Sequence, residues 1–323
     1  MAKKASEAEQ LIVTPPGVRQ MIDEALAIEI EDAKKADALG FMSSTLAQVT
    51  LPHSKTDLIT YKRTNGRLTL KIRADEDYKM PYGSLPRLLL SWVCSEAVKT
   101  RNRQIMLGYC QADFIRERMK IRNAGGEYTD AVRRQVLALF NSLITVDVRD
   151  DKTIALENIL IARRAFMFWN QKRPDQPVLW ESYLMLDQDF FDSIIQAPVP
   201  IDLRVLHALR KSPMAMDIYT WLVYRVFLLR VSGKEMVRIP WGALELQFGA
   251  GYSSTERRPE EGDAKYIARI AQGRRDFRKN FVKALRSVLV FYPDASRAIE
   301  VNKDHFQLKP CRLHIDSKVV PLA

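Results

Sequence analysis

Apolar positions along the chain switch between helical and strand spacing in an order that occurs twice. In the first passage Leu85, Leu88, Leu89, Trp92, Val93 and Ala97 recur three and four apart, which predicts a helix over Ser84–Arg101. Pro86 falls in its first turn, where a missing amide costs no hydrogen bond. A short apolar strand follows at Gln104–Gly108, then a helix over about Gln111–Lys120 and a turn at Gly125-Gly126. A third helix, Thr129–Ser142, runs into the alternating Leu143–Arg149. Asp150–Lys152 turns the chain and Thr153–Ile161 returns it as a strand.

The second passage repeats this order after a break at Pro174–Pro177. A short helix is predicted at Asp202–Leu209 and a long one at Pro213–Leu229, with Met214, Ile218, Trp221, Leu222 and Phe227 in its apolar pattern. Glu235–Ile239 is a short strand, Pro240 and Trp241 open a helix through Phe248, and Lys265–Ser287 is the long third helix. Val288–Tyr292 is predicted as a strand because it is β-branched and aromatic, with a turn at Pro293–Ala295 and a return over Arg297–Val301. Laid without gaps, Val132–Val146 matches Phe277–Phe291, apolar on apolar at most positions, a basic pair on a basic pair, and Ser142 on Ser287. The polar stretch Gly251–Gly262 is the obvious insertion in the second copy.

Helix, strand, helix, turn, helix and a two-stranded wing is the order of a winged helix. The expected fold is therefore α+β: two tandem winged-helix domains, over 41–175 and 176–323, behind an N-terminal extension. A β-hairpin precedes the first domain, Asp57–Arg73, turning on Asn65-Gly66, whose residue types supply the positive φ angles of a tight turn. Residues 1–40 hold an acidic helical pattern from Val18 to about Leu39, cut from the tail before it by Pro15-Pro16.

Charge gives this frame a function. Fifty Lys and Arg stand against 39 Asp and Glu in 323 residues, a formal +11, which attracts polyanions. The excess gathers on the third helix of the second copy. Lys265, Arg269, Arg274, Arg275, Arg278, Lys279, Lys283 and Arg286 face a single acid, Asp276. On a helix Phe277, Phe281, Ala284, Leu285 and Val288 form one stripe. Arg275, Lys279, Lys283 and Arg286 fall opposite, with Arg278 at the flank. Such a helix packs by its stripe and offers its basic face to a DNA groove, although a charge run is also the ordinary composition of a solvated face. The first copy has Arg133, Arg134, Arg118, Lys120 and Arg122, with Arg116, diluted by Glu117, Glu127 and Asp130. Arg149 and Lys152 sit at the first wing and Arg297 near the second.

Chemistry of other kinds has no foothold. No phosphate-binding G-x-x-x-x-G-K-[ST] loop occurs, and the chain has only 13 glycines. His53, His207, His305 and His314 lack metal-ligand spacing, and Cys94, Cys110 and Cys311 form no C-x-x-C, as reduced core thiols would not. The expectations are no enzyme activity, no cofactor and no metal. No apolar run is long enough to span a membrane, and the first residues lead into an acidic helical pattern, so a cytoplasmic protein is expected.

Several phrases together resemble the RepA family of plasmid-encoded replication initiators. They are Pro81–Leu90, Leu179–Ser182, Pro198–Arg204, Ala208–Leu222 and Arg238–Leu244 running on to Gln247–Gly249. The likeness extends from about Leu39 to Pro310. It implies an initiator that binds repeats in double-stranded DNA at a plasmid origin, helps open the duplex, and engages the host replication initiator and replicative helicase. It also implies two winged-helix domains and no chemistry of the protein's own. A homodimer is open as the working form. A dimeric winged-helix transcriptional repressor is the alternative the residues allow.

Overall fold

A computed structural model describes residues 38–48, 50–66, 68–121, 125–149, 154–170, 172–249 and 261–315. The acidic helix expected before Leu39 and most of the 251–262 insertion lie outside the described residues, as do Arg122 and Lys152. The fold is mixed α/β, with antiparallel sheets throughout. In chain order the first half holds β1 (Leu39–Ser43), α1 (Ser44–Gln48), β2 (Thr60–Asn65), β3 (Leu68–Arg73), α2 (Ser84–Thr100) and β4 (Gln104–Gly108). Next come α3 (Gln111–Asp113), which widens into a π-helical turn over Phe114–Arg118, then α4 (Gly126–Phe140), β5 (Leu143–Arg149), β6 (Ile154–Leu160) and β7 (Ala162–Phe166). The second half holds β8 (Ser182–Leu186), α5 (Gln188–Gln196), β9 (Pro198–Asp202), α6 (Leu203–Ala208), α7 (Pro213–Ser232), β10 (Val237–Pro240) and α8 (Trp241–Phe248). It closes with α9 (Asp263–Phe291), α10 (Pro293–Ala298), β11 (Ile299–Val301) and β12 (His305–Leu308).

Local chemistry sets several of these boundaries. Gly66 takes φ 61° at the hairpin turn, so β2 and β3 pair in register from Thr60↔Arg73 to Asn65↔Leu68. Ser212 caps α7 by accepting from the Ala215 amide at 3.2 Å, Pro213 takes the first helical position, and Gly233 ends the helix at φ 64°. The long helix α9 overruns its expected end. Val288–Phe291 is helical rather than a strand, because Val288 continues the buried stripe of Phe277, Phe281, Ala284 and Leu285. Pro293 then opens α10, so Arg297 sits on a short helix, and the returning hairpin is formed by β11 and β12, further along than expected.

The two halves differ in how their strands pair. In the second, the order is β10-β12-β11, a three-stranded sheet closed by the terminal hairpin. In the first, β5 and β6 pair but join β3 and β2 in a four-stranded sheet, while β4 pairs with β8 and β8 with β7. Residues 162–202, for which little structure was expected, supply β7, β8, α5 and β9. The pairing of β8 with β4 and of β9 with β1 carries hydrogen bonds across the boundary expected at 175.

Burial follows the same path. One cluster of buried side chains runs from Leu39 to Ile315. In the second half Trp221 and Phe281 share a core through Phe248 and Phe306, at ring separations of 5.4 to 6.1 Å. Tyr219 is fully buried in the same helix, and its hydroxyl accepts from the Asp202 amide at 2.8 Å. Between the halves, Arg87 of α2 is buried and donates to both oxygens of Asp217 on α7 at 2.7 and 2.6 Å. Its remaining donors reach the carbonyls of Leu51, Pro52 and Gly83, so the guanidinium is fully satisfied.

Candidate nucleic-acid interface

The interface is built outward from the α9 stripe. With Phe277, Phe281, Ala284, Leu285 and Val288 buried, the 3.6-residue period turns Lys265, Arg275, Lys279, Lys283 and Arg286 to the opposite, exposed side. Lys265, Lys279, Lys283 and Arg286 have no ion-pair or hydrogen-bond partner among the described residues. Arg275 bonds only the neutral amide of Gln272, at 2.7 and 3.1 Å, and keeps its charge outward. The remaining cations of the helix are engaged. Arg269 makes a two-pronged pair with Glu261 at 2.8 and 2.9 Å, which raises its pKa through the hydrogen bonds. Arg274 lies 3.8 Å from Glu245.

Arg278 has a different occupation. Its guanidinium donates to the carbonyls of Asn302 and Lys303 at 2.9 and 3.0 Å and lies 5.1 Å from the centre of the Trp241 ring. The Trp241 indole N–H donates to the same Asn302 carbonyl at 3.0 Å. These contacts tie the β11–β12 loop to the start of α8 and the flank of α9, so Arg278 orients that loop. The loop presents Lys303, exposed and without a side-chain partner among the described residues. Sequence reasoning passed over it because the loop was expected earlier in the chain.

Beside Lys283 an open cleft of about 690 Å³ is lined by His53, Ser54, Lys211, Ser212 and Asn280, among others. The N-terminus of α7 opens on it, so a helix dipole and two lysines meet there. His53 closes the back of the cleft, with its Nε2 2.8 Å from an Asp217 oxygen. Burial pushes the pKa of His53 down, against the pull of that carboxylate. Burial would raise the pKa of Asp217, but Arg87 and the hydrogen bonds from His53 and Arg87 outweigh it and hold the group below the ordinary range. The pair is thus an ionised carboxylate facing a neutral imidazole at pH 7.

The first-half candidates are scattered. Arg133 is ion-paired to Asp130 at 3.1 Å on its own helix, while Arg134 is exposed and unpaired among the described residues. Arg118 and Lys120 are exposed at the end of the π-helical turn, where Lys120 takes φ 52°, and Arg116 is paired with Asp113. Arg149 ends β5, with its side chain outside the described residues. Arg297 is exposed on α10. Among the described residues no group of His, Cys, Asp and Glu could hold a metal, and no helix is long and apolar enough to cross a membrane. Burial pushes the Cys94 thiol up to about 12, leaving it a packing residue.

A mixed α/β protein with one basic, outward-facing helix is the class these features define. The chain belongs to the family of plasmid encoded RepA proteins, whose model matches residues 80–242. That match ends at Gly242, ahead of the basic helix. No curated protein matches the chain. It is similar to a crystal structure of selenomethionine derivatives of domains 2 and 3 of RctB, with a TM-score of 0.47, 10% identity, and 84% of this chain and 95% of that one covered. A second structure of the RctB domains 2-3 has a TM-score of 0.47 and 11% identity, with 83% and 96% covered.

Proposed function

We propose that this RepA family member initiates plasmid replication by binding duplex DNA through its second half, which is read as a winged helix. The observation that carries the reading is the exposed face of α9, where Lys265, Lys279, Lys283 and Arg286 lack partners among the described residues and lie opposite a buried apolar stripe. A helix so arranged fits a major groove. Phosphates take most of its cations, and a few side chains reach base edges. The strand order β10-β12-β11 supports the winged-helix reading, and Arg278 orients Lys303 toward the flanking backbone or minor groove. Lys211 and the α7 N-terminus offer a phosphate a seat in the neighbouring cleft.

The first half is read as a modified winged helix, its wing enlarged by β2 and β3, that supports the second. Origin repeats as the DNA site, opening of the duplex, the host initiator and helicase as partners, a homodimer as one working form and a cytoplasmic setting follow from the family reading. The protein acts by binding, with no bond-making step of its own. The test is a minimal plasmid carrying this gene and its upstream region, with nuclease footprinting of that region by the purified chain. The expected result is replication in a host and protection of several direct repeats. Protection of a single palindrome, with replication unaffected by loss of the gene, would instead mark a repressor.

A further inference from the structure

Among the described residues no helix or strand packs on the outward face of the sheet β4-β8-β7. Along β8, Ser182, Leu184 and Leu186 are buried, which turns Tyr183 and Met185 the other way. Register places Phe166 and Met106 on either side of Tyr183, and Arg164 and Gln104 on either side of Met185. Phe166 is 39% exposed and Phe168, just beyond the end of β7, is 43% exposed. The rings of Tyr183 and Phe166 stack at 4.9 Å and 30°, and those of Phe166 and Phe168 at 6.3 Å and 17°. A column of aromatic rings therefore rises from the sheet with its sides open to water. Soluble surfaces seldom group large apolar side chains this way without a partner.

Charge identifies the partner. The strands β4, β7 and β8 contain no acidic residue, and Arg163 and Arg164 of β7 are exposed with no side-chain partner among the described residues. Lys172 and Arg173 follow in the next loop, also exposed. Aromatic faces beside unpaired guanidinium groups suit a ligand with flat rings on an anionic backbone. A duplex keeps its base faces stacked inside, so it cannot use the rings. A single strand can. The rival occupant, a second copy adding a strand to the edge of β7, is disfavoured by the register shift between Ala162 and Arg164 and by the two charges on that edge.

We propose that this face is a binding site for single-stranded DNA, with Phe166, Phe168 and Tyr183 stacking on unpaired bases and Arg163 and Arg164 meeting phosphates. The site is separate from α9 and does not depend on the duplex reading of that helix. The experiment uses the full chain with a fluorescent oligothymidine and, in parallel, a labelled duplex carrying the upstream region, both followed by anisotropy. The double variant Phe166→Ala, Phe168→Ala should weaken oligothymidine binding roughly tenfold or more, since each base stacked on an aromatic ring contributes substantially. Binding to the duplex and the melting temperature should hold. Arg163→Ala with Arg164→Ala should weaken oligothymidine binding and flatten its salt dependence. Unchanged oligothymidine affinity in both variants overturns the proposal. So does an equal loss on single strand and duplex, or a variant whose change is a loss of self-association in sedimentation.

Discussion

The sequence pattern matches α4 in the first half with α9 in the second, and the cations of the two helices meet different fates. On α4 Arg133 is neutralised by Asp130 one turn earlier, and Glu127 stands in the first turn. On α9 four cations face outward with no partner among the described residues, and a fifth bonds only a neutral amide there. The count of basic residues is a poor guide to this difference. What matters is how many charges keep no protein partner, because only those are free to replace the counterions of a polyanion. Within α9 the same criterion separates Lys279, Lys283 and Arg286 from Arg269 and Arg278, which have structural tasks.

The comparison can be broken at its base. Phe281→Ala would empty the ring cluster on which α9 sits and should cost about 3–5 kcal/mol, measured by denaturant unfolding. A stable variant that had lost duplex binding would show that the stripe, rather than the basic face, meets DNA. Arg87→Ala comes next. Removing one partner of a buried ion pair leaves Asp217 facing only a neutral His53, and a loss of about 3 kcal/mol is expected. If the melting temperature barely moved, the halves would be held by their shared sheets and core alone.

Arg278→Ala sharpens the comparison within α9. Its loss releases the Asn302 and Lys303 carbonyls and the stacked Trp241, which should cost about 1–2 kcal/mol of stability. Duplex affinity should fall alike on specific and scrambled sites, because the β11–β12 loop that presents Lys303 loosens. Loss of preference at a single base pair, with full stability, would make Arg278 a base reader instead. The smallest effect concerns pH. Burial holds His53 below its ordinary 6.5 in the folded chain, so the unfolded chain binds the proton first. Stability is fully present above pH 6.5 and should decline as pH falls from there through the folded value. His207 and His314, also lowered by burial, act in the same sense. His53→Asn should make the decline shallower, and an unaltered profile in calorimetry would remove His53 from the account.

Much of the helical frame could be read from the chain because its signals are local. The stripe of α2, the Asn65-Gly66 hairpin, and the strands Gln104–Gly108 and Leu143–Arg149 all appear where the pattern put them. What escaped depends on distant partners. The strand β7 carries Arg163 and Arg164 in place of an apolar alternation, and it forms because β8 pairs with it. Similarly β1 is a strand by virtue of β9, more than 150 residues away. At Val288–Phe291 a local preference for strand yields to packing, since Val288 completes the stripe of α9. The basic face of α9 was visible in the spacing of its residues. That Arg278 holds the β11–β12 loop was not, because its acceptors are backbone carbonyls, which look the same in every sequence.

The central claim is that unpaired cations on α9 make the duplex contacts. The most direct measurement is the salt dependence of duplex binding for three full-length proteins: the parent chain, the variant Lys279→Ala, Lys283→Ala, Arg286→Ala, and the variant Arg133→Ala, Arg134→Ala. Each phosphate contact contributes a log–log slope of about −0.9. The α9 variant should therefore lose about two to three units of slope, while the α4 variant changes by less than about one. Equal changes in the two variants, or a parent slope near zero, would contradict the claim.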